Sequence, residues 1–392
     1  MTNDSPDANR SEIRRLIALF ALAYFAQGLS QAGGLISQPL NYYLKTGLGL
    51  SATDISEYLA ILTIPWVVKP IYGLISDYIP LFGYRRRTWL MLVNLIAASG
   101  FLWLIGLKDV STIVMALVLT AFGTAFSDVI IDALVVENGN RTGQTARFQG
   151  MQWIAFRVAS ILTALTGGYL ASLFEPATAL HIAATITMLA PIAVLTMVYL
   201  VVREEPAQMD IAELRATTRS TLAAIKSPSL QISAAFLAIW CFSPAFGTPI
   251  YYHMVDVLNF DQQFIGQLTA LTSFGGLIGA ILFTRLLANK SVSFRATFAV
   301  VAASCVILSF HLLTQPSSHA SQVAPVLNVV YGAIMQIGAL TIFALAAISC
   351  PPRAEAFTFA ALMSLYNGAE QLSAIVGSRL YEQYFDQQLG PL

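Results

Sequence analysis

A helix needs about 20 apolar residues to cross the hydrocarbon core of a bilayer, where every backbone polar group must be satisfied within the segment. This chain repeats such runs almost from end to end. Eleven can be marked, at residues 16–44, 53–77, 88–107, 111–136, 149–174, 180–202, 230–254, 264–288, 296–313, 323–348 and 354–381. Little else can be built from them than an all-α membrane protein. Charged residues are only 11% of the chain, against about 25% in soluble domains, too few to cover a water-facing surface. The first run is too long for a signal-peptide core and no small-residue cleavage site closes it, so it reads as a retained span.

The formal net charge is zero, which gives no reason to expect a nucleic-acid partner. Cys241, Cys305 and Cys350 lie in apolar runs without metal-ligand spacing and read as small core residues. His181, His253, His311 and His319 are scattered and make no zinc pattern. No phosphate-binding glycine loop or nucleophile elbow is present. The expectation is a non-enzyme with no cofactor or metal, working as a monomer in the lipid bilayer.

The basic residues orient the spans. With the N-terminus in the cytoplasm, inside segments hold sixteen of them: Arg10, Arg14, Arg15, Arg85, Arg86, Arg87, Arg141, Arg147, Arg203, Arg215, Arg219, Lys226, Arg285, Lys290, Arg295 and Arg353. Outside loops hold only Lys45 and Lys108. The expected location is the plasma (inner) membrane. The expected division is a six-helix bundle over 1–202, a cytoplasmic linker over 203–227 with an amphipathic helix from Pro206 to Lys226, and a second bundle over 228–392. Major facilitator transporters are built as two six-helix bundles with the site between them. Here the second bundle shows five spans, and the eleven residues after Tyr381 are too few for a twelfth.

The loop after the second run reads Gly73-Leu74-Ile75-Ser76-Asp77 through Phe82-Gly83-Tyr84-Arg85-Arg86-Arg87. It resembles the facilitator signature of glycine, aspartate and an arginine cluster. Gly73 lets helices approach closely, and Asp77 sits at a helix end where arginines can pair with it. In that family such a network latches the cytoplasmic gate; plain positive-inside anchoring is the simpler alternative. Asp77, Arg85, Arg86, Arg87, Glu137 and Arg147 are the candidate gate residues. The longer form from Lys69-Pro70-Ile71-Tyr72-Gly73 is similar to the folate–biopterin transporter branch of the facilitators. So are Ser127-Asp128-Val129-Ile130-Ile131-Asp132 through Glu137, and Cys350-Pro351-Pro352-Arg353 through Tyr366-Asn367-Gly368.

Charges within the membrane are costly and by default suggest function. Lys69 lies eight residues before Asp77, Asp128 eight before Val136, and Arg157 eight after Gln149. At 1.5 Å per residue all three lie about 12 Å from the cytoplasmic edge. Asp128 and Asp132 are four apart and share a helix face. Asp128, Asp132 and Glu370 are candidate proton carriers; a static buried ion pair that fixes helix packing is the alternative. Arg379 lies near the outer edge, where it can snorkel.

Gln27, Gln31, Gln152, Trp153, Tyr251, Gln336 and Asn367 complete a candidate substrate pocket with Lys69 and Arg157. Each taken singly can instead be an interhelical hydrogen bonder. Together they offer the aromatic faces and amides a flat heterocycle wants. Pro244 and Pro249 in the seventh run predict a kinked or unwound helix. The resemblance implies a proton-coupled carrier of folate- or pterin-like organic anions working by alternating access. A permease for another metabolite such as a muropeptide, or a non-transporting scaffold or receptor, are the alternatives.

Overall fold

The computed structural model describes residues 6–31, 33–208, 228–287, 289–315, 317, 319–349 and 355–392. Among these the chain is helical throughout, with a single isolated bridge between Leu81 and Tyr84. The helices are α1 Pro6–Ser30, α2 Ser37–Tyr42, α3 Ala52–Val67, α4 Lys69–Tyr78, α5 Arg87–Leu104, α6 Val110–Thr142 and α7 Thr145–Leu173. They continue as α8 Pro176–Val201, α9 Pro228–Trp240, α10 Thr248–Asp256, α11 Gln262–Leu282, α12 Val292–Ser309, α13 Ala320–Ser349 and α14 Glu355–Gln383.

Nine helical stretches among the described residues are long and apolar enough to span a membrane. Eleven were expected, and the difference falls on two runs. The seventh is broken into α9 and α10 by the stretch from Cys241 to Gly247, where Pro244 donates no backbone hydrogen bond and Gly247 takes a φ of 98°. The eleventh, α14, is 29 residues long, but Asn367, Glu370 and Gln371 interrupt its apolar character. The first run also divides, since α1 ends at Ser30 and the chain turns before α2. The second is interrupted at Val68, with Pro70 in the first turn of α4. Most of the expected linker helix, together with Cys350 and Arg353, lies outside the described residues.

Exposed apolar side chains ring the spans, among them Leu95 and Leu102 on α5, Leu189 and Leu200 on α8, and Val301 and Leu308 on α12. On a water-soluble chain so much exposed apolar surface would be an aggregation liability; in hydrocarbon it is the normal outer face.

The contacts divide the chain into two compact units. The first holds residues 1–37, 68–163 and 181–215; the second holds 38–67, 164–180 and 216–392. In the first, Tyr72 stacks on Phe126 at 4.7 Å, with Trp89 on that ring at 5.3 Å. Asn94 donates to Ser127 at 2.9 Å between α5 and α6, satisfying a buried amide that would otherwise be expensive. In the second, α11 and α13 approach so closely that a Cβ on Gly279 or Gly332 would strike backbone of the facing helix. Thr272 bonds Asn328 across that seam at 2.9 Å. Ser56 on α3 joins Thr248 at 2.8 Å and Ser378 at 2.6 Å. The Glu382 carboxylate accepts the backbone N–H groups of Ala52 and Thr53 at the start of α3.

Candidate functional site

The densest set of candidate residues lies in the first unit. The interruption at Val68 makes Lys69 the first residue of α4. Its Nζ lies 2.6 Å from Asp128 Oδ2, and the two side chains are 17% and 6% exposed. Two charges out of water are tolerable because they neutralise each other at hydrogen-bonding distance. One turn further along α6, Asp132 Oδ1 accepts a short hydrogen bond from the Tyr24 hydroxyl and a longer one, 3.4 Å, from Gln152 Nε2. Asp132 nevertheless presents exposed surface. Tyr24 itself is buried and meets Trp153 edge to face at 6.4 Å, while Trp153 is 49% exposed. Gln152 on α7 therefore reaches the carboxylate turn of α6, while Trp153 packs on the tyrosine that bonds the same carboxylate. Arg157, a turn further on, is half-buried, with its guanidinium 5.9 Å from the Phe156 ring centre.

A hollow of about 20 Å³ opens beside Asp128, lined by Tyr24, Gln27, Ser30, Asn94, Ser127 and Pro191 among others. That is room for about one water molecule. Gln27 lines it. Gln31 does not: α1 ends at Ser30 and Gln31 lies in the bend that follows, its N–H on the Gln27 carbonyl at 2.9 Å.

The arginine loop is assembled around Arg86. Its guanidinium meets Asp77 at 2.6 Å, Glu137 at 2.7 Å and the Ser76 hydroxyl at 2.9 Å. Burial pulls its pKa down, but the two carboxylates outweigh that and hold it above the ordinary arginine value. Arg87 reaches the Tyr199 carbonyl at 3.3 Å and lies over that ring. Arg85 is exposed and contributes through its backbone. The N–H groups of Arg85, Arg86 and Arg87 all donate to the Glu204 carboxylate, at 2.9 to 3.1 Å. An anion there meets the unsatisfied donors and positive dipole end of α5. Arg147 is exposed and makes no ion pair among the described residues.

The remaining candidates belong to the second unit. Tyr251 is buried, its hydroxyl donating to Gln262 Oε1 at 3.3 Å. Gln336 on α13 and Asn367 on α14 are half-buried. Glu370 is exposed, midway along α14. Next to it, Gln371 donates to the Ser56 carbonyl at 3.2 Å, locking α14 to α3. Arg379 does not simply snorkel but pairs with Glu57 at 2.6 Å.

Sequence reasoning missed Tyr24 and Glu204. Tyr24 stands in an apolar run, although it lies three residues before Gln27 on the same helix face. Glu204 looked like one more charge in a polar stretch.

The fold is that of major facilitator transporters. The fold matches the nucleoside transporter NupG with a TM-score of 0.73 at 13% identity, covering 95% of this chain and 91% of that one. It matches a D-xylose–proton symporter at 0.66 and 13%, covering 95% and 91%. The chain belongs to the BT1 family, whose family model matches residues 27–389. It is 32% identical over 378 residues to the "Folate-biopterin transporter" of Synechocystis sp., covering 93% of this chain and 74% of that one. It is 23% identical to "Probable folate-biopterin transporter 4" of Arabidopsis thaliana, covering 92% and 87%. It is 26% identical to "Folate transporter 2" of Plasmodium falciparum, covering 85% and 74%.

Proposed function

We propose that this chain carries folate- or pterin-like organic anions across a plasma (inner) membrane, with its N-terminus in the cytoplasm, coupled to protons and working by alternating access. The observation that supports it most is the meeting of Lys69, Asp128, Asp132, Tyr24 and Gln152 in one unit of a facilitator fold. The names of the BT1 relatives supply the cargo class. Lys69 and Arg157 are the cations for substrate carboxylates. Trp153 and Tyr251 offer ring faces, and Gln27, Gln152, Gln336 and Asn367 offer amides.

Asp128 is the group on which coupling turns. Ionised, it holds Lys69; protonated, it releases the ammonium to an incoming carboxylate. Asp132 offers a second carboxylate on the same face, held by the Tyr24 hydroxyl. Glu370 is the corresponding acid of the second unit. The Arg86 cluster acts as the gate latch.

Purified protein in liposomes tests this with labelled folate, with and without an acidic exterior. Saturable uptake, accelerated by external acid and abolished in Asp128→Asn, is expected. Uptake no greater than in empty liposomes would overturn the cargo. Uptake indifferent to the gradient and retained in Asp128→Asn would overturn the coupling.

A further inference from the structure

Arg295 lies in the first turn of α12 and is only 9% exposed. Its Nε is sealed from solvent without a hydrogen-bond partner. Its guanidinium lies over the Phe283 ring, 5.7 Å from the ring centre. Buried guanidinium groups are normally paired, because the charge loses its hydration. Among the described residues Arg295 makes no ion pair, and between Asp261 and Glu355 the sequence contains no aspartate or glutamate. That interval covers α11 and α13 as well as α12 itself.

The surroundings have the character of an amphiphile's seat. Arg285 and Lys290, on the segment leading into α12, are exposed and add two further positive charges. Phe294 and Phe298, four apart on α12, are 50% and 38% exposed and stack on each other at 6.5 Å. Leu286 is 62% exposed beside them in sequence. A basic rim and a sunken guanidinium thus adjoin an open apolar shelf. The N-terminal end of α12 adds its partial positive charge.

We infer that this corner binds an anionic phospholipid, its phosphate diester on Arg295 with Arg285 and Lys290 at the rim, and its acyl chains along Phe294 and Phe298. Free phosphate would satisfy the charge but leave the shelf unused. Basic pockets at the inner face of membrane helices recognise lipid headgroups by this chemistry.

The full chain, purified in neutral detergent, is titrated with phosphatidylglycerol, phosphatidylcholine or inorganic phosphate while its thermal unfolding is followed. Phosphatidylglycerol is expected to raise Tm saturably, because a ligand that binds only the folded state stabilises it. The other two are expected to leave Tm unchanged at equal concentration. Arg295→Gln is expected to raise the half-saturating phosphatidylglycerol concentration about tenfold or more. The Arg285→Gln/Lys290→Gln double variant alters only exposed side chains and so provides a second measure should Arg295→Gln fail to fold. It is expected to raise half-saturation roughly twenty-five-fold, at roughly fivefold for each of the two basic residues removed. Equal shifts with phosphatidylcholine, a matching shift with inorganic phosphate, or half-saturation unchanged in the variants that fold would overturn the assignment.

Discussion

The two units treat buried and membrane-depth charge in opposite ways. In the first, Lys69 is paired with Asp128, and Arg86 is held by Asp77, Glu137 and Ser76. In the second, Arg295 is buried with no carboxylate on α11, α12 or α13 to answer it. Glu370, at mid-length of α14, is exposed. Paired charges are a store of structure that chemistry can release, because breaking one partnership frees the other group. Unpaired charges are better suited to meeting something from outside the chain. The first arrangement fits a coupling site, the second a surface that recruits an external anion or proton.

Removing one partner of the closed pair should break the comparison most severely. Lys69→Ala leaves the nearly inaccessible Asp128 carboxylate without a counter-charge and is expected to cost about 3–5 kcal/mol of stability. Lys69→Met/Asp128→Leu is expected to recover most of that loss, while transport stays abolished. Recovery of stability and transport together would reduce the pair to packing. In contrast, Glu370→Gln keeps the size and shape of the side chain and is expected to change stability by no more than about 1 kcal/mol, yet to lower proton-driven uptake. A large fall in unfolding temperature would contradict that.

The two arginines sharpen the contrast. Arg86→Met should destabilise the protein by about 1–3 kcal/mol, since the Ser76 hydroxyl and two carboxylates lose their donor. The value is kept modest because Asp77 and Glu137 are nearly half exposed and can be rehydrated. Arg295→Met, measured in neutral detergent without anionic lipid, should be neutral or stabilising. Urea or thermal unfolding of the two variants side by side measures the difference.

Glu204→Gln should cost about 1 kcal/mol, by weakening the hydrogen bonds from three N–H groups at the N-terminal end of α5 and removing a favourable charge from it. A fall of the same size in Arg85→Gln would point instead to side-chain charge in the loop.

The smallest effect belongs to Asp109, the N-cap of α6, whose carboxylate is held below its ordinary pKa by hydrogen bonds from the Ser111 hydroxyl and the Thr112 N–H. Because the folded state favours the ionised form, this stabilisation is complete above the ordinary aspartate pKa of about 3.9. It fades as pH falls through the depressed value. Asp109→Asn should flatten that part of the acid unfolding curve, and an unchanged curve would show that the cap does not contribute.

Much of the architecture could be read from residue order alone, because the bilayer permits so few solutions. Runs of apolar residues had to be helices, and the proline-rich stretch around Pro244 and Pro249 had to interrupt one. Equal depth for Lys69 and Asp128 followed from counting residues back from the helix ends. Boundaries were harder. The end of α1 at Ser30 left no mark in the apolar run, so Gln31 falls in the bend beyond it and outside the hollow that Gln27 lines. Tyr24 was hidden by its apolar neighbours, and Glu204 by its polar ones.

The linear chain therefore settled what dissolves in lipid, which family it belongs to and which charges are out of place. Folding alone decided which of those charges found partners. Pairing depends on the rotation and separation of helices whose residues lie far apart along the chain, as Tyr24 and Asp132 do, and no local pattern records it. The same holds for Arg295: its solitude is visible in a stretch of sequence without acids, but its burial came only from packing.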